Sequence, residues 1–509
     1  MTPKRYFLET MGCQMNVLDS QLVSGQLRAL GYEPTAHVKD ADVVLINTCS
    51  VRGHAEEKVY SRLGELGRIK RRRPELIIGV IGCMAERDGD NLLARCRHVD
   101  LLCGPGQLAR LPALLAEVLE KHTRPAALAQ SRSRTLSAEE RSLALYDLEA
   151  LDMARPIPRD GSVRQSYIRV QRGCDKFCTF CVVPFTRGPE VSRPPGNIVE
   201  EARRLADAGA KEITLLGQTV NSYAYPENGR TVRFAELLER VHEVPGVERL
   251  RFVTSYPGDF TDDVLEAMRD LPRVCEYLHI PAQSGSNGVL RRMKRRYTVE
   301  EYVDLIDRAR AIVPGVALAG DFIVGFPGET DAEFEQSVAL MERVRYQNCF
   351  IFRYSPRPGT AADRTLPDDV PTEVKRRRNT RLLQVQDRIS REDNARRIGQ
   401  TVEVLVEGFS KAAIKAQEAE QSRGQEVGWR RSDQLTGRTR GDQIVVFGGP
   451  ESLIGRFVRV RITSATALTL HGNLVDRQER RAGGDPPSRG AAVSAPDAEP
   501  LTRNSRIST

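Results

Sequence analysis

Strand-like and helix-like stretches alternate along most of this chain, in two separate series, and that alternation leaves few architectures open to it. The first series runs "RYFLETMGC", "VLDSQLVSGQLRALG", "ADVVLINTC", "GHAEEKVYSRLGELGRIKRRRP", "ELIIGVIGC", "VDLLCG" and "ARLPALLAEVLEK". Short apolar runs alternate there with segments of helical period, which predicts a mostly parallel sheet with helices on its faces over residues 4–120. The second series, in residues 161–397, offers six further strands: "SYIRVQ", "KEITLLG", "RLRFVTS", "VCEYLHI", "VALAGDFIVG" and "NCFIFRY". Six βα units of one kind predict a barrel or an open partial barrel, with its chemistry at the carboxyl ends of the strands.

Between the two series, residues 121–160 mix short helical patches with Arg, Ser and Pro and read as a linker. After a basic helix, "TVEVLVEGFS", "QLTGRTRGDQIVVFG" and "IGRFVRVRITSATALTLHGNL" are short β-branched strands with Gly turns, the pattern of a small all-β barrel over residues 400–476. A polar insertion near 411–430, holding Trp429, breaks that rhythm, and residues 477–509 are expected to be a disordered tail. The expected fold is therefore α/β and multidomain, and 509 residues suit about three domains.

"GCDKFCTFC" packs Cys174, Cys178 and Cys181 into eight positions, just after the first strand of the second series. Three thiolates on one loop can hold three irons of a 4Fe-4S cube and leave the fourth iron open. An unfilled coordination position admits substrate, whereas a closed ligand set is structural. The bland alternatives are a zinc knuckle short of a ligand, or burial. Cys13, Cys49 and Cys83 each end a strand of the first series, 36 and 34 residues apart, about one βα repeat. In a parallel sheet the carboxyl ends share one edge, so thiols distant in sequence can converge there, although each taken alone reads equally as a small buried residue. Cys96, Cys103, Cys275 and Cys349 read as packing.

The balance of 76 basic and 68 acidic residues gives +8 and favours an anionic partner. No apolar run approaches the roughly 18 residues that span a bilayer, and "MTPKRYFLETMGC" lacks a signal-peptide core. A cytoplasmic protein with no membrane association is expected, its ten cysteines serving metal binding, catalysis or burial rather than disulfides.

"GCDKFCTFCVVPFTRGPEVSRP" resembles the signature loop of the radical S-adenosylmethionine (SAM) superfamily. With "TMGCQMN", "VLINTCSVR", "IGCMAER", "LLGQTVNSY", "LHIPAQSGSNGVLRRMKRRYT", "DFIVGFPGET" and "YSPRPGTAA", the chain from 4 to about 476 is similar to the methylthiotransferase family of radical SAM enzymes. Its motifs lie nearest the branch that acts on isopentenyladenosine beside the tRNA anticodon. The resemblance implies an N-terminal methylthiotransferase domain, a radical SAM core and a C-terminal RNA-binding TRAM domain. It implies one 4Fe-4S cluster on Cys174, Cys178 and Cys181, whose open iron is chelated by SAM, and an auxiliary 4Fe-4S cluster on Cys13, Cys49 and Cys83. One SAM would methylate a cluster-bound sulfur, and a second would yield the 5′-deoxyadenosyl radical that removes the hydrogen from carbon 2 of adenine. The implied partners are tRNA and a cytosolic electron donor such as a flavodoxin or ferredoxin, with the chain acting as a monomer. Sister branches acting on a ribosomal-protein aspartate or on threonylcarbamoyladenosine share both cysteine sets and stay open, as does a non-catalytic metal-containing RNA-binding protein.

Gln218 and Asn221 in "GQTVNSY" are expected near SAM by their place at the end of the second barrel strand; Thr219 stands where family members more often carry Asn. Gly325 and Gly328 in "VGFPGET" read equally as a close backbone approach to SAM and as a βα turn. Of three basic runs, "RIKRRR" at 68–73 reads as a solvated helix face, while "RRMKRR" at 291–296 and "KRRRNTR" at 375–381 are expected to contact phosphates. Phe409, Phe447 and Phe457 are the aromatics with which the β module could stack on bases.

Overall fold

The computed structural model describes residues 3–50, 53–131, 134–135, 137–158, 163–422 and 433–475. In it the first series forms a six-stranded parallel sheet of order β2-β1-β3-β4-β5-β6: β1 (Arg5–Met11), β2 (Glu33–Pro34), β3 (Val43–Thr48), β4 (Ile77–Gly82), β5 (Leu101–Cys103) and β6 (Ala126–Ala127). Helices α1 (Gln14–Ala29), α2 (Gly53–Lys70), α3 (Cys83–Arg95) and α4 (Leu111–Lys121) connect and cover it. Every residue of β3 and β4 is buried, as parallel strands covered on both faces require. Neighbouring side chains go to opposite sides: Leu45 packs with Leu27 and Leu115, and Ile46 with Leu63 and Leu66.

Residues 121–160 are more than a linker. They contain α5 (Ala138–Met153), started by a capping box in which Ser137 Oγ accepts from Glu140 N at 3.1 Å and Glu140 Oε2 accepts from Ser137 N at 2.8 Å. Its last turn is fixed by charge. The buried Asp152 carboxylate meets Arg169 at 3.1 Å, Arg193 at 3.6 Å and also Arg172, while Glu149 meets Arg193 at 2.7 Å. Those partners lie downstream, which is why the segment's own composition hides the helix.

The second series gives all six expected strands: β7 (Gln165–Arg169), β8 (Glu212–Leu216), β9 (Arg249–Phe252), β10 (Tyr277–His279), β11 (Ala317–Val324) and β12 (Asn348–Arg353). They form two parallel three-stranded halves, β9-β8-β7 and β10-β11-β12, joined by a Leu250–Val274 bridge into an open six-stranded partial barrel. The outward faces pack under helices, and α6 (Val183–Thr186) follows the three-cysteine loop. Inside, Met15 of α1 packs among Tyr167, Leu216, Val253, Tyr277, Ala317 and Ala319, so the N-terminal domain plugs the lumen.

Helix α7 (Thr372–Ala395) leads to a closed five-stranded barrel, β13 (Thr401–Phe409), β14 (Gln434–Arg438), β15 (Ile444–Gly448), β16 (Phe457–Ala465) and β17 (Thr469–Leu474), of order β13-β14-β15-β17-β16. It docks under the amino end of β9, where Arg249 donates to Arg438 O at 2.9 Å and Arg251 to Arg440 O at 2.7 Å. Of the 411–430 insertion, Lys411–Ser422 is helical; Trp429 and the 477–509 tail lie outside the described residues. Among the described residues no helix is long and apolar enough to cross a membrane.

Candidate active site

The strand register carries the first three cysteines to one edge. Met11 pairs with Thr48 and Thr48 with Gly82, so β1, β3 and β4 end flush, and Cys13, Cys49 and Cys83 follow within two residues. Gly82 has φ +93°, and a Cβ there would lie 2.5 Å from Thr48 O; only glycine lets the chain cross the edge straight into α3, whose first residue is Cys83. Two fully buried amides lace the loops together. Asn16 Nδ2 donates to Asn47 Oδ1 at 2.8 Å, Asn47 Nδ2 returns to Asn16 O at 2.8 Å, and Asn16 Oδ1 accepts from Cys13 N at 3.3 Å. A hydrogen bond with the Cys49 thiol, aided by the Arg187 charge and opposed by burial, draws the Cys13 thiol down to about 5. At Cys83 burial wins over the same arginine and the thiol is raised.

The second trio sits at the end of β7. Gly173 has φ +66°, and a Cβ there would lie 1.9 Å from Pro189 O, so the turn into the loop requires glycine. Cys174 N donates to Gly188 O at 3.2 Å and Cys181 N to Cys178 O at 3.0 Å. Burial pushes the Cys174 thiol up to about 11 and the Cys181 thiol to about 12, so ionised sulfur at this spot needs a cation beside it. One is supplied by Arg295, whose Nη1 lies 3.5 Å from Cys178 Sγ and whose guanidinium sits over Tyr256 and Tyr297 at 4.6 and 5.0 Å. Among the described residues no three His, Cys, Asp or Glu groups are placed to share a single metal ion. Gln171 Nε2 and Ser255 Oγ, past the ends of β7 and β9, are buried and have no hydrogen-bond partner among the described residues.

Residues 5–104 match the uncharacterized protein family UPF0004, residues 168–341 the radical SAM superfamily and residues 425–475 the TRAM domain. Over 480 residues the chain is 48% identical to a tRNA-2-methylthio-N(6)-dimethylallyladenosine synthase of Rhodopirellula baltica, covering 92% of this chain and 95% of that protein. The chain belongs to the tRNA-2-methylthio-N(6)-dimethylallyladenosine synthase family. A second synthase, from Moorella thermoacetica, is 42% identical over 93% of this chain and 99% of its own length. Among solved structures, the radical SAM methyltransferase TsrM of Kitasatospora setae, with cobalamin and a 4Fe-4S cluster bound, aligns with TM-score 0.50 at 15% identity, over 71% of this chain and 74% of that one. That likeness is one of fold.

The remaining candidate residues of this synthase-family chain divide. Asn221 is occupied internally: its Oδ1 accepts from Tyr256 N at 2.7 Å and its Nδ2 donates to Tyr256 O at 2.9 Å. The Gly325 amide donates to Glu329 Oε2 at 2.6 Å and the Gly328 amide to Asp369 Oδ1 at 2.8 Å, and a Cβ on Gly325 would meet Lys375 at 2.3 Å; the turn itself accounts for both glycines. Gln218 is half-buried, with no hydrogen bond to the described residues. Thr219 donates to Glu190 Oε2 at 2.9 Å. Burial raises the Glu190 carboxyl, which lines a cavity of about 280 Å³ with Lys176, Asn221, Ser222 and Asp259.

The basic runs divide. Arg292 is bound to Glu333 at 2.9 Å, and Arg295 faces Cys178, which leaves Arg291, Lys294 and Arg296 as the exposed cations of the second run. In the third, Lys375 is buried against Asp368, and Arg378 meets Glu329 and Asp331 at 2.8 Å each, so these two hold α7 to the barrel rather than a phosphate. Phe447 is 2% exposed in the β-barrel core, which removes it as a base-stacking surface, and the half-buried Phe457 carries Arg249 at 4.6 Å. Sequence reasoning missed Arg187 and Arg295 although both stood inside quoted motifs; their approach to sulfur has no local signal.

Proposed function

We propose that the chain adds a methylthio group to carbon 2 of the isopentenyl (dimethylallyl) adenosine beside the anticodon of tRNA. In this reading Cys174, Cys178 and Cys181 hold a 4Fe-4S cluster that binds SAM, and Cys13, Cys49 and Cys83 hold a second. The observation that carries it is the pairing of two thiol trios, each one ligand short of closure, in a chain so similar to the named synthases.

The residues fit the groups. Three thiols brought to one sheet edge, and three on one loop, suit a cube that offers each thiol its own iron. The orphaned Gln171 and Ser255 atoms are donors of the kind a polar ligand satisfies. When bound, clusters and SAM supply one-electron carbon–sulfur cleavage and a transferable sulfur, which no side chain can deliver at an unactivated carbon–hydrogen bond. The chain's own part is to hold and to seal. Asn221 fixes Tyr256, Tyr256 lies against Arg295, and Arg295 orients Cys178. Gln218 is free to meet SAM, and Met15 fills the barrel lumen with apolar side chain.

The TRAM match and the exposed Arg291, Lys294 and Arg296 support tRNA as the partner. A tRNA substrate supports action in the cytoplasm, and the chemistry requires a one-electron donor such as a flavodoxin or ferredoxin; we take the chain to act as a monomer. The functional units we assign are 4–120, 161–397 and 400–476. The test is nucleoside mass spectrometry of tRNA from a strain deleted for this gene. Loss of the methylthio mark with the isopentenyl group retained is expected, and an unchanged profile overturns the assignment.

A further inference from the structure

Arg187 is the point where the two trios meet. It closes α6, the four-residue helix that follows Cys181, and α6 packs against α3, which begins at Cys83. Its Nη2 donates to Asp19 Oδ2 at 2.9 Å, and the other oxygen of that carboxylate accepts from Arg169 at 2.9 Å. Asp19 is fully buried, so the guanidinium is anchored in a place that water does not screen. The Arg187 charge falls on both Cys83 and Cys13. The next residue, Gly188, accepts the hydrogen bond from Cys174 N at 3.2 Å. One dipeptide thus touches both thiol sets, and its cation, delivered by the loop of one trio, faces the sulfurs of the other.

We propose that Arg187 is a positioning residue for the auxiliary trio: anchored by Asp19, it is the fixed counter-charge of Cys13 and Cys83 and sets how readily a cluster held there is reduced. The inference rests on the reading that Cys13, Cys49 and Cys83 hold a cluster. Three thiolates around an iron–sulfur cube carry net negative charge, and a nearby cation favours the reduced state, while a nearby anion opposes it. Arg187 and Asp19 therefore act in opposite directions, a signature that general damage to the fold does not produce.

The experiment uses the full chain with Cys174, Cys178 and Cys181 all changed to Ala, reconstituted anaerobically with iron and sulfide and titrated electrochemically by electron paramagnetic resonance. Arg187→Met is expected to lower the reduced-to-oxidised ratio at a fixed potential about tenfold, which is about 59 mV for a one-electron couple. Arg187→Lys should stay within about twofold of the parent on the same scale, and Asp19→Asn should raise the ratio. If Arg187→Met does not fold, the opposite sign in Asp19→Asn decides. A parent-like titration of either folded, iron-loaded variant overturns the proposal. Failure of the parent triple variant to take up iron and sulfide instead overturns the cluster reading beneath it.

Discussion

Arg295 holds a guanidinium nitrogen 3.5 Å from the sulfur of Cys178. Its other arms are tied down, Nε to Tyr297 Oη at 2.9 Å and Nη2 to Pro281 O at 3.1 Å, so the contact is a built one. With Cys178 holding a cluster, as proposed, a residue so placed beside a metal ligand typically matters by 10–100-fold. Arg295→Met is expected to slow 5′-deoxyadenosine formation from SAM by at least about tenfold while iron content is kept, with partial recovery in Arg295→Lys. An unchanged rate would reduce Arg295 to a packing residue.

The two trios should separate by mutation. Cys174→Ala is expected to abolish SAM cleavage and methylthiolation together. Cys49→Ala is expected to abolish methylthiolation and leave reductive SAM cleavage in place, read as 5′-deoxyadenosine without modified nucleoside. Loss of both activities in the Cys49 variant would mean that the sites do not work independently.

Asp152 holds α5 to the barrel. Burial opposes its charge, yet Arg169, Arg172 and Arg193 hold its carboxyl far below the ordinary range. Removing the carboxylate leaves three cations without it, so Asp152→Asn should destabilise the fold by about 3–5 kcal/mol, measured by denaturant unfolding. Because the folded-state pKa is depressed, the stabilisation is complete above the unfolded value of about 3.9 and is lost as pH falls toward the folded one. The wild type should lose stability on acidification through that window and Asp152→Asn should lose less.

Exposed and engaged cations of the basic runs should behave differently toward RNA. Changing both Lys294 and Arg296 to Ala is expected to weaken tRNA binding and to flatten the slope of log affinity against log salt by about 1.4–1.8, the loss of two phosphate contacts. Arg378→Ala should leave that slope unchanged and lower the melting temperature, since its partners are Glu329 and Asp331. A slope change in the Arg378 variant would return that residue to the interface.

Most of the architecture was legible because its signals are local. The apolar runs of β3 and β4 and the period of α1 and α4 are properties of a few consecutive residues, and all six barrel strands were visible in the same way. The helix α5 was not, since its anchor is a carboxylate whose three partners are supplied by the next domain. At the site, the cysteines stood out by residue type and spacing. The basic runs misled, because composition counts charges without showing which are already paired: Lys375 and Arg378 look like Arg376 in the sequence and are buried in the fold.

By itself, then, the sequence determined the two βα series, the β-barrel and the six thiols at the strand ends, because hydrophobic period and cysteine spacing are written over short distances. Only the tertiary structure decided where the long cationic side chains end: Arg187 on an aspartate 168 positions away and Arg295 on a sulfur 117 positions away. The physical reason is that a flexible charged side chain carries no local preference for its partner, and which anion it reaches depends on which elements the packed core brings within a few ångströms of it.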